Sequence, residues 1–293
     1  MSKPFDVEIN NGIAHIRFNR PEKRNSMNED FWKLFPKEIE ELDDTGEIRA
    51  LIVSSTGPHF SSGIDLSMFK DDVVDHDSEN ELGRSRGYFL QQLKFLQNAV
   101  TCLETARFPV VVAVQGGCIG GGIDLISAAD IRICTKDSFF LIEEINVGLA
   151  ADIGTIQRLP KIIPAGIARE WTMLGEKVSA DRAYEVGLVS SLHDSHEEMM
   201  KSAFEIAEKL ASKTPLAMWV TKETLNYSRD HTVREGLENV ALWNAATLHK
   251  EDVMSTMMSK MQKKKPEYRN LSCLLYTSPS PRDQRGSRMP SSA

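Results

Sequence analysis

Apolar residues alternate loosely at Val7, Ile9, Ile13, Ile16 and Phe18 around Asn10-Asn11-Gly12. The alternation predicts a β-hairpin, because Asn-Gly supplies the positive φ angles of a tight hairpin turn. The period then lengthens. From about Met27 to Leu42, Phe31, Leu34, Phe35, Ile39 and Leu42 recur at helical spacing, and Pro36 inside the run is expected to kink or split the helix. Ala50–Ser54 and Val110–Val114 are short unbroken apolar runs, as expected of strands buried on both faces. Between them come a glycine-bearing loop (57–69), a polar, acidic stretch (70–86) and an amphipathic helix over 88–106. A helix over 123–129 and strands over 131–134 and 139–141 follow. Beyond Gly154 the spacing is helical, over 165–174, 179–186, 196–212, 215–229 and 233–260. The pattern therefore predicts an α/β core (1–195) carrying a helical C-terminal region (196–270). Residues 271–293 are rich in Ser, Pro and Arg and have no apolar face, so they are expected to be a disordered tail or a sequence artefact.

Composition adds little to the fold and more to the choice of partner. The chain has 293 residues, 41% hydrophobic and 26% charged, an ordinary globular mix. Its net charge is −7, but residues 271–293 contribute +2, leaving −9 on the first 270. So acidic a body argues against a nucleic-acid backbone as the main partner. A small polyanion held by a local basic cluster stays open. The four cysteines form no C-x-x-C pair, which predicts reduced, buried thiols rather than disulfides or a zinc site. There is no run of 18 apolar residues, so no membrane-spanning helix is expected. The start, Met1-Ser2-Lys3-Pro4-Phe5, has neither an apolar signal core nor an Arg-rich presequence, consistent with a soluble intracellular protein.

Two glycine-bearing loops follow two buried strands: Phe60-Ser61-Ser62-Gly63-Ile64-Asp65-Leu66, and the run from Gly116 to Gly122. Glycine after a strand lets the backbone turn sharply and present N–H groups. Two such loops aimed at one oxygen would make an oxyanion hole; the alternative is tight helix–strand packing that simply needs glycine. Other glycine motifs fail on inspection. A phosphate loop needs Gly-Lys-Ser/Thr, whereas Ile123-Asp124 follows Gly122. The dinucleotide pattern G-x-G-x-x-G meets Leu125 at its last place, and a nucleophile elbow around Ser62 meets Phe60. Acids in apolar company form the second feature: Asp124 behind the glycines, Glu143 and Glu144 after Phe139-Phe140-Leu141-Ile142, and Asp152 in an apolar loop. Helix capping or solvation explains each alone. Together, beside exposed N–H groups, they suggest proton transfer next to a stabilised carbonyl oxygen.

Those loops, with Asn19-Arg20-Pro21-Glu22-Lys23-Arg24-Asn25, resemble the enoyl-CoA hydratase/isomerase (crotonase) superfamily over roughly residues 5–265. The stretches Glu143–Pro160 and Tyr227–His231 look like those of its dienoyl-CoA isomerase branch. The resemblance implies a crotonase-like spiral of ββα units and a CoA thioester substrate, with no metal, nicotinamide or flavin. It places the oxyanion N–H groups on Ile64 and Gly121, and the catalytic acids on Asp124, Glu144 and Asp152. Substrate contacts fall on Ser62, Gly63, Ile64, Asp65, Gly120 and Gly121, and CoA phosphates on Lys23 and Arg24. Glu144 would take a proton from C2 of a 3,5-dienoyl-CoA and Asp152 deliver one to C6, with 70–86 as a lid over the acyl chain. The alternatives are a 2-enoyl-CoA hydratase, a 3,2-enoyl-CoA isomerase, or a catalytically silent binding protein of the same fold. A trimer or dimer of trimers, in the peroxisome or mitochondrial matrix, is the family expectation; neither nucleic acid nor membrane is a partner.

Overall fold

A computed structural model describes residues 3–68 and 82–274. The hairpin forms as expected from β1 (Phe5–Asn10) and β2 (Ile13–Phe18), with Asn11 and Gly12 at φ 50° and 75°. Helix α1 (Glu29–Asp44) follows. Of the two expected outcomes at Pro36, the split does not occur. Proline in a helix costs about 3 kcal/mol, whereas each buried Phe contributes roughly 1.5–3 kcal/mol. Phe31, Phe35, Ile39 and Leu42 all bury on one face of the uninterrupted helix, while Leu34 lies exposed. Phe31 and Phe35 stack at 4.9 Å, and Phe5 and Phe18 meet them edge-on.

Strand β3 (Ala50–Ser55) pairs in parallel with β2 and with β4 (Val110–Val114); β4 pairs in parallel with β6 (Ile131–Thr135), and β6 with β9 (Leu192–His193). The six-stranded order is β1-β2-β3-β4-β6-β9. Strand residues alternate between two cores. Leu51, Val53, Val110, Val112 and Val114 pack with α1 and with α2 (Leu82–Thr105). Ala50, Ile52, Val111, Ala113 and Ile133 pack instead on Met199, Ala203 and Ala207 of α7 (His196–Ala211). The sheet core therefore extends past residue 195, where the sequence pattern placed the division.

A second, three-stranded sheet holds β5 (Gly117–Ile119), β7 (Phe139–Leu141) and β8 (Val178–Ser179). Helix α3 (Gly121–Ser127) starts directly after β5. The remaining helices are α4 (Thr155–Ile162), α5 (Ala165–Leu174), α6 (Ala180–Glu185), α8 (Pro215–Arg229), α9 (Val233–Thr247) and α10 (Lys250–Gln262). The single helix expected over 233–260 is thus two, parted at Leu248-His249, and α4 was not anticipated. Of the expected lid, residues 70–81 lie outside the described residues, and 82–86 belong to α2. Among the described residues no helix is long and apolar enough to cross a membrane. All four cysteines are free; Cys118 and Cys134 are buried, Cys102 half-buried and Cys273 exposed.

The expected tail begins too early. Leu271 N donates to Gly46 O, Leu274 N donates to Asp44 O, and the Arg107 guanidinium donates to Ser272 O while pairing with Asp43 at 3.1 Å. Residues 271–274 are therefore docked beside the end of α1. The remainder, 275–293, lies outside the described residues. A chain ending at Asn270 should melt a few degrees below one ending at Leu274, since the buried Arg107 loses an acceptor, a change on the order of 1–3 kcal/mol. Equal melting temperatures would show that the docked residues contribute nothing.

Candidate active site

The parallel pairing of β3 and β4 brings their following loops out side by side. Phe60 N donates to Gln115 O, Ser61 N to Gly117 O, and Ile119 N to Ser61 O, so the first loop runs as a short strand along β5. On its other side Met27 N donates to Gly63 O and Asp65 N to Met27 O. Gly63 N is taken by Ser61 Oγ. The intervening Ile64 N–H donates to no acceptor among the described residues. In the second loop Gly120 N donates to Leu141 O and Ile123 N to Gly120 O. The Gly121 N–H, at the first position of α3, likewise has no acceptor among the described residues, as helix geometry dictates.

The two loops touch through glycine. A Cβ on Gly63 (φ +84°) would stand 2.9 Å from Ile119 O and 3.1 Å from Gly121 N. Gly120 (φ +51°) has the Glu144 carboxylate against it, with Oε1 3.4 Å from where a Cβ would sit. Ile64 thus lies against Gly121, with its Cγ1 3.6 Å from where a Cβ would sit, and Glu144 lies against the neighbouring Gly120.

Asp65 has a different occupation from the substrate contact inferred for it. Its carboxylate accepts from Ser26 Oγ (2.9 Å), the Arg20 guanidinium (3.2 Å) and Ser67 N (3.1 Å). Desolvation would raise its pKa, but the bonds from Ser67, Ser26 and Arg20 outweigh it and hold the carboxyl well below the usual range. Buried Asn25 works beside it, with Nδ2 donating to Thr56 O and His59 O and Oδ1 accepting from Arg20 N. Arg20, Asn25 and Ser26 were visible in the polar loop, but nothing in their spacing announced that they fasten the oxyanion loop. Ser62 N donates to Arg24 O, so the loop carrying Lys23 and Arg24 does reach the site, while both side chains are exposed.

The three acids converge from three segments. Asp124, on α3, is 1% exposed; its Oδ1 accepts from Thr155 N (2.6 Å) and Thr155 Oγ1 (2.7 Å), and its Oδ2 is buried with no partner among the described residues. Burial pushes its carboxyl up to about 6 against the pull of the two Thr155 bonds; the Asp152 charge adds to the rise and Arg158 opposes it. Glu144 opens a 3₁₀ turn (Glu144–Val147), is half-buried, and leaves Oε2 unpartnered. Burial, then the charge of Asp124, then Asp152 and Glu143, lift it to about 7. Asp152 is exposed on the single chain, yet desolvation raises its carboxyl too. Its carbonyl is tied to α2 by Gln97 Nε2 (2.7 Å). Glu143 instead accepts from Asn146 and stands outside the acid cluster. Thr155 is the residue missed, since a Thr after Gly154 signals only a helix start. Among the described residues no cluster of His, Cys, Asp and Glu is arranged to hold a metal.

Residues 8–271 match the enoyl-CoA hydratase/isomerase family, and the chain belongs to it. The mitochondrial Delta(3,5)-Delta(2,4)-dienoyl-CoA isomerase of Rattus norvegicus is 41% identical over 253 residues, spanning 86% of this chain and 77% of that protein. The peroxisomal Delta(3,5)-Delta(2,4)-dienoyl-CoA isomerase of Arabidopsis thaliana is 39% identical over 259 residues, spanning 88% and 93%. The crystal structure of an enoyl-CoA hydratase from Bacillus anthracis superposes with a TM-score of 0.80 at 24% identity, covering 90% of this chain and 98% of that one, and shows the fold alone. Both the family resemblance and the crotonase-like fold class are borne out.

The raised carboxyls carry a stability cost whose sign is fixed. Glu144 shifts from 4.5 to about 7, so the folded state holds its proton more tightly than the unfolded chain does. Stability then falls as pH rises from 4.5 through about 7, and the penalty is complete above that. Glu144→Gln should stabilise the protein at alkaline pH by at most about 3 kcal/mol, read as a higher melting temperature, and change little below pH 4.5, where Glu144 is protonated both folded and unfolded. No gain at alkaline pH would mean that the carboxylate is well solvated.

Proposed function

We propose that this chain is an isomerase that converts a 3,5-dienoyl-CoA into the conjugated 2,4-dienoyl-CoA, serving the oxidation of unsaturated fatty acids. The observation that carries the reading is the crowding of Asp124, Glu144 and Asp152 beside two N–H groups with no acceptor among the described residues. The names of the relatives from rat and Arabidopsis point the same way.

The thioester oxygen is held between the N–H groups of Ile64 and Gly121. Ionised Glu144 takes a proton from C2, and the resulting dienolate places its negative charge on the oxygen that those donors face. Losing one such donor typically costs ~100–1000-fold in rate. Asp152, its carboxyl raised by desolvation, donates a proton at C6, and the electron pair settles into the 2,4-diene. The proton gained by Glu144 and the one lost by Asp152 cancel, so the substrate is neither oxidised nor reduced and the step needs no cofactor. A base titrating at about 7 suits this work, because efficiency is greatest when the pKa lies near the working pH.

The condition of Asp124 favours isomerase over hydratase. A residue that positions water needs a free, reachable oxygen, whereas Asp124 is 1% exposed with Oδ1 committed to Thr155. Its role is to supply a neighbouring charge. The exposed Leu237, Leu242, Met257 and Met261 on α9 and α10 support self-association through the C-terminal helices, as trimers or pairs of trimers. The mitochondrial and peroxisomal relatives support one of those two compartments.

Glu144→Gln and Asp152→Asn should each lower turnover of a 3,5-dienoyl-CoA ~100–10,000-fold with little change in thioester binding. Either variant turning over at the wild-type rate removes that residue from the mechanism.

Capture of CoA by a body this acidic must be local, and the exposed Lys23 and Arg24 stand on the loop joined to Ser62. Replacing both by Ala should raise KM and flatten its dependence on salt while sparing kcat, the mark of lost uniform binding. An unchanged KM at low and high salt would move the phosphate site to the lysines at 260–265.

A further inference from the structure

We infer that Thr155 is a positioning residue that decides which of two neighbouring carboxylates, Asp124 or Glu144, holds the proton they compete for. The inference rests on the isomerase reading for its kinetic consequence but not for its structural one. Thr155 is fully buried, and both of its donors fall on the same oxygen of Asp124, at 2.6 and 2.7 Å. The other oxygen, Oδ2, is buried with no partner, and so is Oε2 of Glu144. Two unpartnered carboxylate oxygens in mutual electrostatic reach are most costly when both groups are ionised. One proton between them removes the repulsion.

The location of that proton follows from the donors. Oδ1 of Asp124 faces an N–H and an O–H at the start of α4, an arrangement that stabilises the carboxylate, and bonds to a charged acceptor are the strong ones. Glu144 has no comparable side-chain donor among the described residues. Thr155 therefore keeps Asp124 ionised and leaves the proton to Glu144. The other charges facing the pair do not reverse this. Asp124 is flanked by Asp152 and Arg158, with the buried Cys118 thiol behind it; Glu144 is flanked by Asp152 and Glu143. An ionised Asp124 raises the proton affinity of Glu144, which makes Glu144 a stronger base when it does ionise. The same threonine fixes the far end of the loop that bears Asp152, whose own carbonyl Gln97 ties to α2.

The test compares wild type, Thr155→Val and Thr155→Ser. Valine keeps the shape and the backbone N–H but deletes the hydroxyl; serine keeps both donors. Infrared titration of the protonated carboxyl band that disappears in Asp124→Asn reports Asp124 directly, without turnover. In Thr155→Val that band should persist to a pH higher by roughly one unit, as expected for one lost bond to a charged group. Asp124 is then neutral where Glu144 titrates, so the acid limb of kcat for a 3,5-dienoyl-CoA should move to lower pH, and the plateau should fall about tenfold as the base weakens. Thr155→Ser should return both readouts to wild type. A wild-type infrared titration and acid limb in Thr155→Val would overturn the inference, as would an acid limb moved to higher pH. Thr155→Ala replaces the valine variant should that one fail to fold. A wild-type protein that turns over no dienoyl-CoA would sink the isomerase reading alone, because the infrared titration would still judge Thr155.

Discussion

Two strands that run in parallel as neighbours end at the same edge of their sheet, and everything at this site follows from that. β3 and β4 pair Leu51 with Val110 and Val53 with Val112, so the chain leaves both at one edge. Antiparallel pairing would have sent the two glycine loops to opposite edges. Burial on both faces fixes the pairing further, since α1 and α2 cover one set of alternating residues and α7 covers the other. Loops that emerge a strand's width apart can be stitched together by main-chain bonds alone, as Ser61 is to Gly117 and Ile119. The N–H groups that the stitching leaves over are the ones that face a ligand, in keeping with the habit of α/β proteins to bind at the carboxyl ends of their strands.

Onto this frame the sequence places carboxylates where water is scarce. Each would be cheap to ionise alone at the surface, and each resists ionisation here. Glu104 shows how the protein treats an acid it means to keep charged: Arg158 and Arg229 both pair with it, and its carboxyl lies below the usual range despite desolvation. Among the described residues neither Asp124 nor Glu144 has an arginine ion pair. Asp124 is also the more buried, 1% exposed against 11% for Glu104, but Glu104 keeps its charge under desolvation because two arginines pair with it.

Much of the fold was legible because period and burial agree in it. The hairpin, β3, β4, β6, β7 and the cores of most helices stand where the apolar pattern puts them. What was illegible depends on partners distant in sequence. β5 lies in a glycine run with no strand propensity and forms because Gly117–Ile119 pairs with Phe139–Leu141. β8 and β9 are two residues each, and only neighbouring strands make them strands. The break at Leu248-His249 carries neither Gly nor Pro. At the site, the acids and glycines were legible as residue types in a recognisable order. The fastening by Arg20, Asn25 and Ser26 and the clamp from Thr155 were not, since a side chain that acts across a fold leaves no periodicity behind.

Gly63 has a consequence for how this gene can vary. Loops ordinarily accept substitution, and a single loop glycine draws little notice in a list of variants, but Gly63 is buried. Here every other amino acid would place a Cβ 2.9 Å from the Ile119 carbonyl, on a backbone at φ +84° that L residues rarely adopt. Both obstacles are main chain, so no rotamer change relieves them. Any missense change in that codon forces main chain apart where Gly63 meets Ile119 and Gly121, at the contact that sets Ile64 beside Gly121. The expected carrier phenotype is a folded, abundant and inactive protein, the opposite of the unstable product that most inherited missense variants yield.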